Sequence, residues 1–309
     1  MSSEAKAPEK PKSLFDKVGV ALPIALTAIA TAFAGMSSSE MSQAMYWRSA
    51  AAQDQAKAND QWSFAGFKRD RSLIVDTTAT TMRAMAEYQT PPNESKGPQT
   101  PPPAIVDHAG KWMATDPTTK DPPLPPVEDK AIQDVLVAIH LRKSEAEVLK
   151  LAKEIDETKL TEAINAAAMQ ATEVEKVYEP ERDQARKATR DATDAIAKSE
   201  GPARAKAIAM ANVAHANQYE VDGRRYRSES TMNFWVGYLY EVRVKTSTAT
   251  SDTHREKSKN FFYAMLAAQI GATISSLGLA RRYGSALWGL AGFAGLVAIV
   301  IGVYVYLGM

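Results

Sequence analysis

The sequence predicts an all-α fold. Three transmembrane helices, one N-terminal and two in a C-terminal hairpin, carry an elongated helical extramembrane domain that a proline-rich segment interrupts. Three observations predict it. Residues 18–36, 261–280 and 285–307 form charge-free apolar runs of 19, 20 and 23 residues, each near the length that crosses a roughly 30 Å hydrocarbon core at about 1.5 Å per residue. The residues between them are Ala-rich, charged and periodic. Of the 16 prolines, 11 lie between residues 89 and 126, where neither a helix nor a central strand survives.

Chain averages conceal this division. The 309 residues are 45% hydrophobic and 24% charged, with 37 Lys+Arg against 36 Asp+Glu and a mean hydropathy of −0.29. Such values describe an ordinary soluble protein only because apolar spans and a charged domain are summed. The balanced charge argues against a phosphate-neutralising nucleic-acid binder. The absence of Cys excludes disulfides, thiolate catalysis and Cys-ligated metals.

The N-terminal tail, 1–17, holds Lys6, Lys10, Lys12 and Lys17. The first span, 18–36, carries Pro23. Its Ala32-Phe33-Ala34 followed by Gly35 also fits a signal-peptide cleavage site, and an uncleaved anchor is the expectation. Positive-inside logic places the lysine tail and the Arg281-Arg282 turn in the cytoplasm, with the large domain outside. Arg255, Lys257 and Lys259, just before the second span, oppose that orientation.

The first arm, 37–88, reads as helix that continues the first span, with Ser37, Ser38 and Ser39 weakening the junction. Met41, Met45, Ala52 and Ala56 recur at helical spacing towards Trp62, Phe64 and Phe67. The connection 89–126 reads as a solvated linker, and Trp112 within it as a docking residue. In the hairpin domain, 127–259, Glu128 or Asp129 suits a helix start. A 3.6-residue period then runs through Val135, Ile139, Val148, Ala152, Ile155 and Ile164. Pro180 predicts a kink or restart. Ser199-Glu200-Gly201-Pro202 predicts a reversal into an antiparallel helix. Its facing residues are mostly Ala, so the hairpin alone is marginal and needs the first arm or another subunit. The aromatic stretch with Phe234, Trp235, Tyr238 and Tyr240 is too short to span. It has two readings: an interfacial or partner-binding patch together with Trp62 and Phe64, or core packing against the first arm.

In the C-terminal hairpin, 260–309, Gly271 and Ser275 of the second span and Gly289, Gly292, Gly295, Ala298 and Gly302 of the third are small residues at three- and four-residue spacings. They predict close helix packing, within the chain or with another subunit. No ionisable residue lies in a span, which argues against ion-coupled transport.

Motifs for phosphate, nucleotide or metal binding and for nucleophilic catalysis are absent from the sequence. His108, His140, His215 and His254 have no partner at ligand spacing. No catalytic residue, cofactor or metal is expected.

Ala58-Asn59-Asp60-Gln61-Trp62-Ser63-Phe64 after an N-terminal span resembles a segment of the uncharacterised bacterial membrane family of domain of unknown function 4337. The ending is similar as well, with Gln269, then Ile274-Ser275-Ser276, Arg281-Arg282 and Leu287-Trp288. Ala65-Gly66-Phe67-Lys68 departs from the family's Gln-Ala-Lys, and the proline-rich insert has no counterpart. The resemblance implies a three-span bacterial membrane protein with helical arms and implies no activity. The expectation is a non-enzymatic inner-membrane scaffold or accessory subunit, packed in the bilayer with copies of itself or within a larger complex. One alternative is a channel lined by Gln269, Thr273 and Ser276. Another is an envelope sensor or enzyme acting through the outer domain.

Overall fold

The computed structural model describes residues 14–89, 124–280 and 285–308. They form six helices: α1 (Leu14–Gln89), α2 (Lys130–His140), α3 (Glu145–Ala152), α4 (Glu157–Ala197), α5 (Gly201–Ala280) and α6 (Ser285–Gly308). No strand occurs among the described residues. Three helices, α1, α5 and α6, are long and apolar enough to cross a membrane. The lysine tail, most of the proline-rich connection with Trp112 and the Arg281-Arg282 turn lie outside the described residues.

Two units divide the chain. The first comprises 1–50 and 247–309, the second 51–246. In the first, α1 and α5 are antiparallel. The Ser258 hydroxyl donates to the Ser37 carbonyl at 2.8 Å, and the Ser37 hydroxyl donates to the Ser258 carbonyl at 2.9 Å. Seven residues further along α1 and seven back along α5, the Ser251 hydroxyl donates to the Ala44 carbonyl at 2.8 Å. A serine oxygen reaches a neighbouring backbone carbonyl only where small residues let the axes approach closely. Between these layers His254 Nδ1 lies 2.6 Å from Glu40 Oε2. The α6 helix runs parallel to α1: Leu26 sits against Gly295, and Phe33, seven residues on, against Gly302. Ala30, Ala268 and Ala298, one from each helix, form the middle layer, and Phe33 stacks on Phe261.

In the second unit α1, α4 and α5 pack together. The Ser230 hydroxyl donates to the Ala65 carbonyl at 2.8 Å, and the Ser72 hydroxyl to the Gly223 carbonyl at 3.2 Å. The seven-residue steps again run in opposite senses, so α1 and α5 are antiparallel here too. The buried stripe of α1 in this unit is Ala51, Ala58, Ala65, Ser72, Ala79 and Ala86, one small residue per heptad. This corrects the expected face. Ala52 and Ala56 are exposed, Phe64 and Phe67 are more than half exposed, and in the first unit Met45 is 66% exposed. The large side chains are kept off the seam because their bulk would hold the backbones apart.

The other expected breaks differ as well. The α1 helix passes through Ser37–Ser39 without interruption, since the Ser37 hydroxyl is engaged by α5. The α4 helix passes through Pro180. The missing N–H and ring clash cost about 3 kcal/mol, and contacts on either side offset them. The Tyr178 hydroxyl lies 3.1 Å from that of Ser228, Glu181 pairs with Arg224 and Arg182 Nε donates to Asp222 at 3.1 Å. Conversely, the expected single helix after residue 127 is three. Asp129 caps α2, Ser144 with Glu147 forms a capping box on α3, and Asp156 caps α4. Residues of the predicted period (Val135, Val148, Ala152, Ile155 and Ile164) are buried. The reversal before α5 uses Gly201 at φ +57°, a left-handed conformation open to Gly at little cost, with Pro202 opening the helix.

Ala58 and Ala65 are fully buried. Replacing either by Leu overpacks the seam and should cost about 1–3 kcal/mol, whereas Ala56→Leu on the exposed face should stay within about 0.5 kcal/mol. Thermal melts of the detergent-solubilised variants followed by circular dichroism separate the two, and equal effects would contradict the assignment of the seam.

Candidate functional site

The seven small residues expected to pack the membrane helices divide into two sets. Gly271 is enclosed: a Cβ added there would lie 3.1 Å from the Ala291 carbonyl oxygen and 3.2 Å from Leu26 Cδ1. At Gly295 it would lie 2.6 Å from Leu26 Cδ2, and at Gly302 it would meet the Phe33 ring. Leu26 therefore fits between Gly271 of α5 and Gly295 of α6. Ala298 and Ser275 are fully buried, and the Ser275 hydroxyl has no hydrogen bond among the described residues. Gly289 and Gly292 form the other set. Nothing lies within 4 Å of a Cβ at either, so the described chain leaves the face of α6 that carries them uncovered. Sequence spacing could not separate the sets, because both follow the same small-residue rule and differ only in which way they face.

Between α1 and α5 of the same unit lies a groove of about 430 Å³, lined by Thr27, Ala30, Thr31, Ala34, Gln269, Ala272 and Thr273. The Thr27, Thr31 and Thr273 hydroxyls each donate to the carbonyl four residues earlier, at 2.8–3.0 Å. Such back-bonding satisfies the proton and leaves the oxygen free to accept. The Gln269 side chain is exposed. Of the expected pore residues, Gln269 and Thr273 line this groove and Ser276 does not; its hydroxyl donates to Ala272.

In the second unit the aromatic stretch packs inward. Trp235 and Tyr238 are buried. Trp62 lies edge-on to Tyr238 at 4.7 Å and tilted against Phe234 at 5.4 Å, over Gly237, where an added Cβ would lie 3.3 Å from the indole. Tyr240 carries the Lys57 ammonium 5.5 Å from its ring centre. Phe64 takes no part in this cluster and faces outward.

A charge network centred on the buried Arg225 and Glu229 lies alongside. Arg225 Nη1 lies 3.1 Å from Glu229 Oε1 and 3.7 Å from Glu175. Glu229 also pairs with Lys68 of α1, and Arg182 of α4 lies 3.1 Å from Asp222. The Arg225 guanidinium stacks 4.3 Å over Tyr226. The only sequence signal was local, the i,i+4 pair Arg225–Glu229; its partners are up to 161 positions away.

Titration follows burial. Desolvation pushes the Glu241 carboxyl above its usual range, against the opposing charge of Lys245, and pushes the Tyr178 phenol up. The Lys159 ammonium, with the Ile132 N–H, holds Asp129 low. Among the described residues no group of three or more His, Asp or Glu could hold a metal ion. Of the histidines, His254 pairs with Glu40, His215 stacks on Tyr219, His140 ends α2 and His108 lies outside the described residues. Comparison with protein-family models, curated proteins and solved structures finds no match.

Two predictions follow from this geometry. Gly302→Ala should lower thermal stability, because Phe33 must move. Gly289→Ala should be neutral or raise it, a helical Gly costing roughly 0.5–1 kcal/mol relative to Ala. Melting temperatures in one detergent decide. The second concerns Glu241, whose raised folded pKa means that ionisation opposes folding. Glu241→Gln should therefore stabilise the protein at pH 7, and the gain should shrink as pH falls and vanish below about pH 4, where the unfolded carboxyl is also protonated. A gain independent of pH would remove desolvation as its cause.

Proposed function

We propose that this chain is a non-enzymatic integral membrane scaffold or accessory subunit, which packs with copies of itself or with a larger membrane complex. The observation that carries the reading is the division of its apolar surface. The α1–α5 seams consume small residues, and several large apolar ones on α1 face outward. In the second unit Phe64, Phe67, Leu73 and Ile74 of α1 are each more than half exposed, and in the first, Gly289 and Gly292 of α6 face open space. Exposed apolar side chains grouped on one stretch of a helix mark an interaction surface, and glycines on a membrane helix admit a second helix at close range. The resemblance to the bacterial family of domain of unknown function 4337 supports placement in a bacterial inner membrane. The lysine tail supports a cytoplasmic N-terminus with the large domain outside.

The detergent-solubilised or nanodisc-reconstituted full chain should run as an oligomer, or co-purify from native membranes with defined partners. A monodisperse monomer with a full-height cooperative melt overturns the reading. A reporter fused at Met309 reads the orientation separately.

A channel is the second reading, favoured by the groove that gathers Thr27, Thr31, Gln269 and Thr273. It requires conductance in planar bilayers that is lost in Gln269→Leu and Thr273→Leu.

A further inference from the structure

We propose that Gln269 is the contact at which two copies of this chain meet within the membrane, the side-chain amide of one pairing with that of the other across a two-fold axis. The inference rests on the scaffold reading and gives it a specific seam.

Gln269 follows Ala268, which packs with Ala30 and Ala298 in the middle layer of the three membrane helices. Its side chain is exposed, and its amide makes no hydrogen bond among the described residues. Its neighbours in the groove are Thr27, Thr31 and Thr273, whose protons are already donated to their own helices. At mid-span in hydrocarbon an unpaired amide costs several kcal/mol. The occupant must therefore both donate and accept there.

A lipid acyl chain does neither, and a headgroup lies at the membrane surface. A cation would find no charge in the groove, since no ionisable group lines it. A second Gln269 supplies both halves: N–H of each copy to C=O of the other, two equivalent bonds in a closed, isologous contact. Ala30, Ala34 and Ala272 flank the position and are small enough for the two groove walls to approach, while the threonine oxygens remain free to accept the second N–H of each amide. Polar side chains of this kind are the usual adhesive between membrane helices.

The chain has no Cys, so a single introduced thiol reports one position. Full-length Ala272→Cys and, separately, Gly292→Cys are reconstituted in phosphatidylcholine vesicles and oxidised with copper phenanthroline. Ala272→Cys should give a disulfide-linked dimer. Adding Gln269→Leu should weaken dimerisation roughly tenfold, and adding Gln269→Asn, which keeps the amide, should weaken it less. The helical circular dichroism and melting of Gln269→Leu serve as the folding control, since Leu at an exposed span position is benign. Dimer at Ala272→Cys that is indifferent to Gln269→Leu overturns the proposal. Dimer at Gly292→Cys alone also overturns it, while leaving the scaffold reading intact. Monomer at both positions, without co-purifying partners, overturns both.

Discussion

Close approach of α1 and α5 is the constraint from which the remaining structure follows. Helices lined by Leu or Met stand apart at the distance their side chains set. Here serine hydroxyls of one helix reach main-chain carbonyls of the other: Ser258 to Ser37 and Ser251 to Ala44 in the first unit, Ser230 to Ala65 in the second. Each acceptor carbonyl is already part of its helix and uses a second lone pair. The bond therefore adds cohesion without breaking a helical turn. The geometry tolerates only Ala, Ser or Gly on the seam, and a seven-residue repeat keeps those residues facing the partner as the helices wind. The same device serves a span, where apolar burial gives no advantage over lipid, and a charged domain, because it depends on contact distance and hydrogen bonds rather than on the removal of water.

Such a seam fixes geometry more than it stabilises. An alanine buries little area at about 25 cal/mol per Å². In the second unit, stability must come from what is arranged around it. Trp62, Phe234, Trp235 and Tyr238 bring aromatic bulk, and Leu160 and Ile132 bring apolar cores from the shorter helices. The charge network through Arg225, Glu229, Lys68, Glu175, Asp222 and Arg182 adds a different property. Taking Arg225 and Glu229 out of water is costly, and a buried ion pair is at best a weak net stabiliser. Its value lies in selection. An Ala seam repeating every seven residues is nearly indifferent to a slip of one heptad, whereas a slip of α1 along α5 would part the buried Glu229 from Lys68. The network therefore specifies which heptad of α1 meets which heptad of α5, and where α4 lies against both.

How much of this was legible in the sequence follows from the range of the signals. Spans are local runs, and all three were visible, as was the antiparallel return through Gly201-Pro202. Local propensity misled where tertiary contacts decide. Pro180 predicts a kink or restart and Ser37–Ser39 a weakened junction, yet both helices run on, with Tyr178, Arg182 and Ser37 held by α5. The seam of α1 is marked by small residues, not by large apolar ones. Met41 and Met45 drew attention away from Ala44, Ala51, Ala58 and Ala65, whose strict seven-residue spacing is visible once small size is treated as the signal. The α2–α3 break was missed because its stop is Arg142 at φ 53°, where a Gly would have announced it. The distant partners of the charge network could not be inferred: Glu175 lies 50 positions from Arg225 and Lys68 161 from Glu229, and Gln269 has no partner among the described residues.

That last contrast bears on how the molecule relates to its surroundings. Apart from the Ser275 hydroxyl, the serines of the α1–α5 seams are matched inside the chain: Ser37 with Ser258, Ser251 with Ala44, Ser72 with Gly223. Leu26 and Phe33 fill the space left by Gly271, Gly295 and Gly302. A three-helix membrane unit sealed in this way has no internal reason to keep a carboxamide on its outer surface or an unfilled pair of glycines at 289 and 292. Leucine at the first position and alanine at the others would serve an isolated bundle better, by the transfer cost of an amide into hydrocarbon and by helix propensity alike. Gln269, Gly289 and Gly292 thus lie on faces that the described chain leaves open, and the proposed packing against another helix would reconcile them.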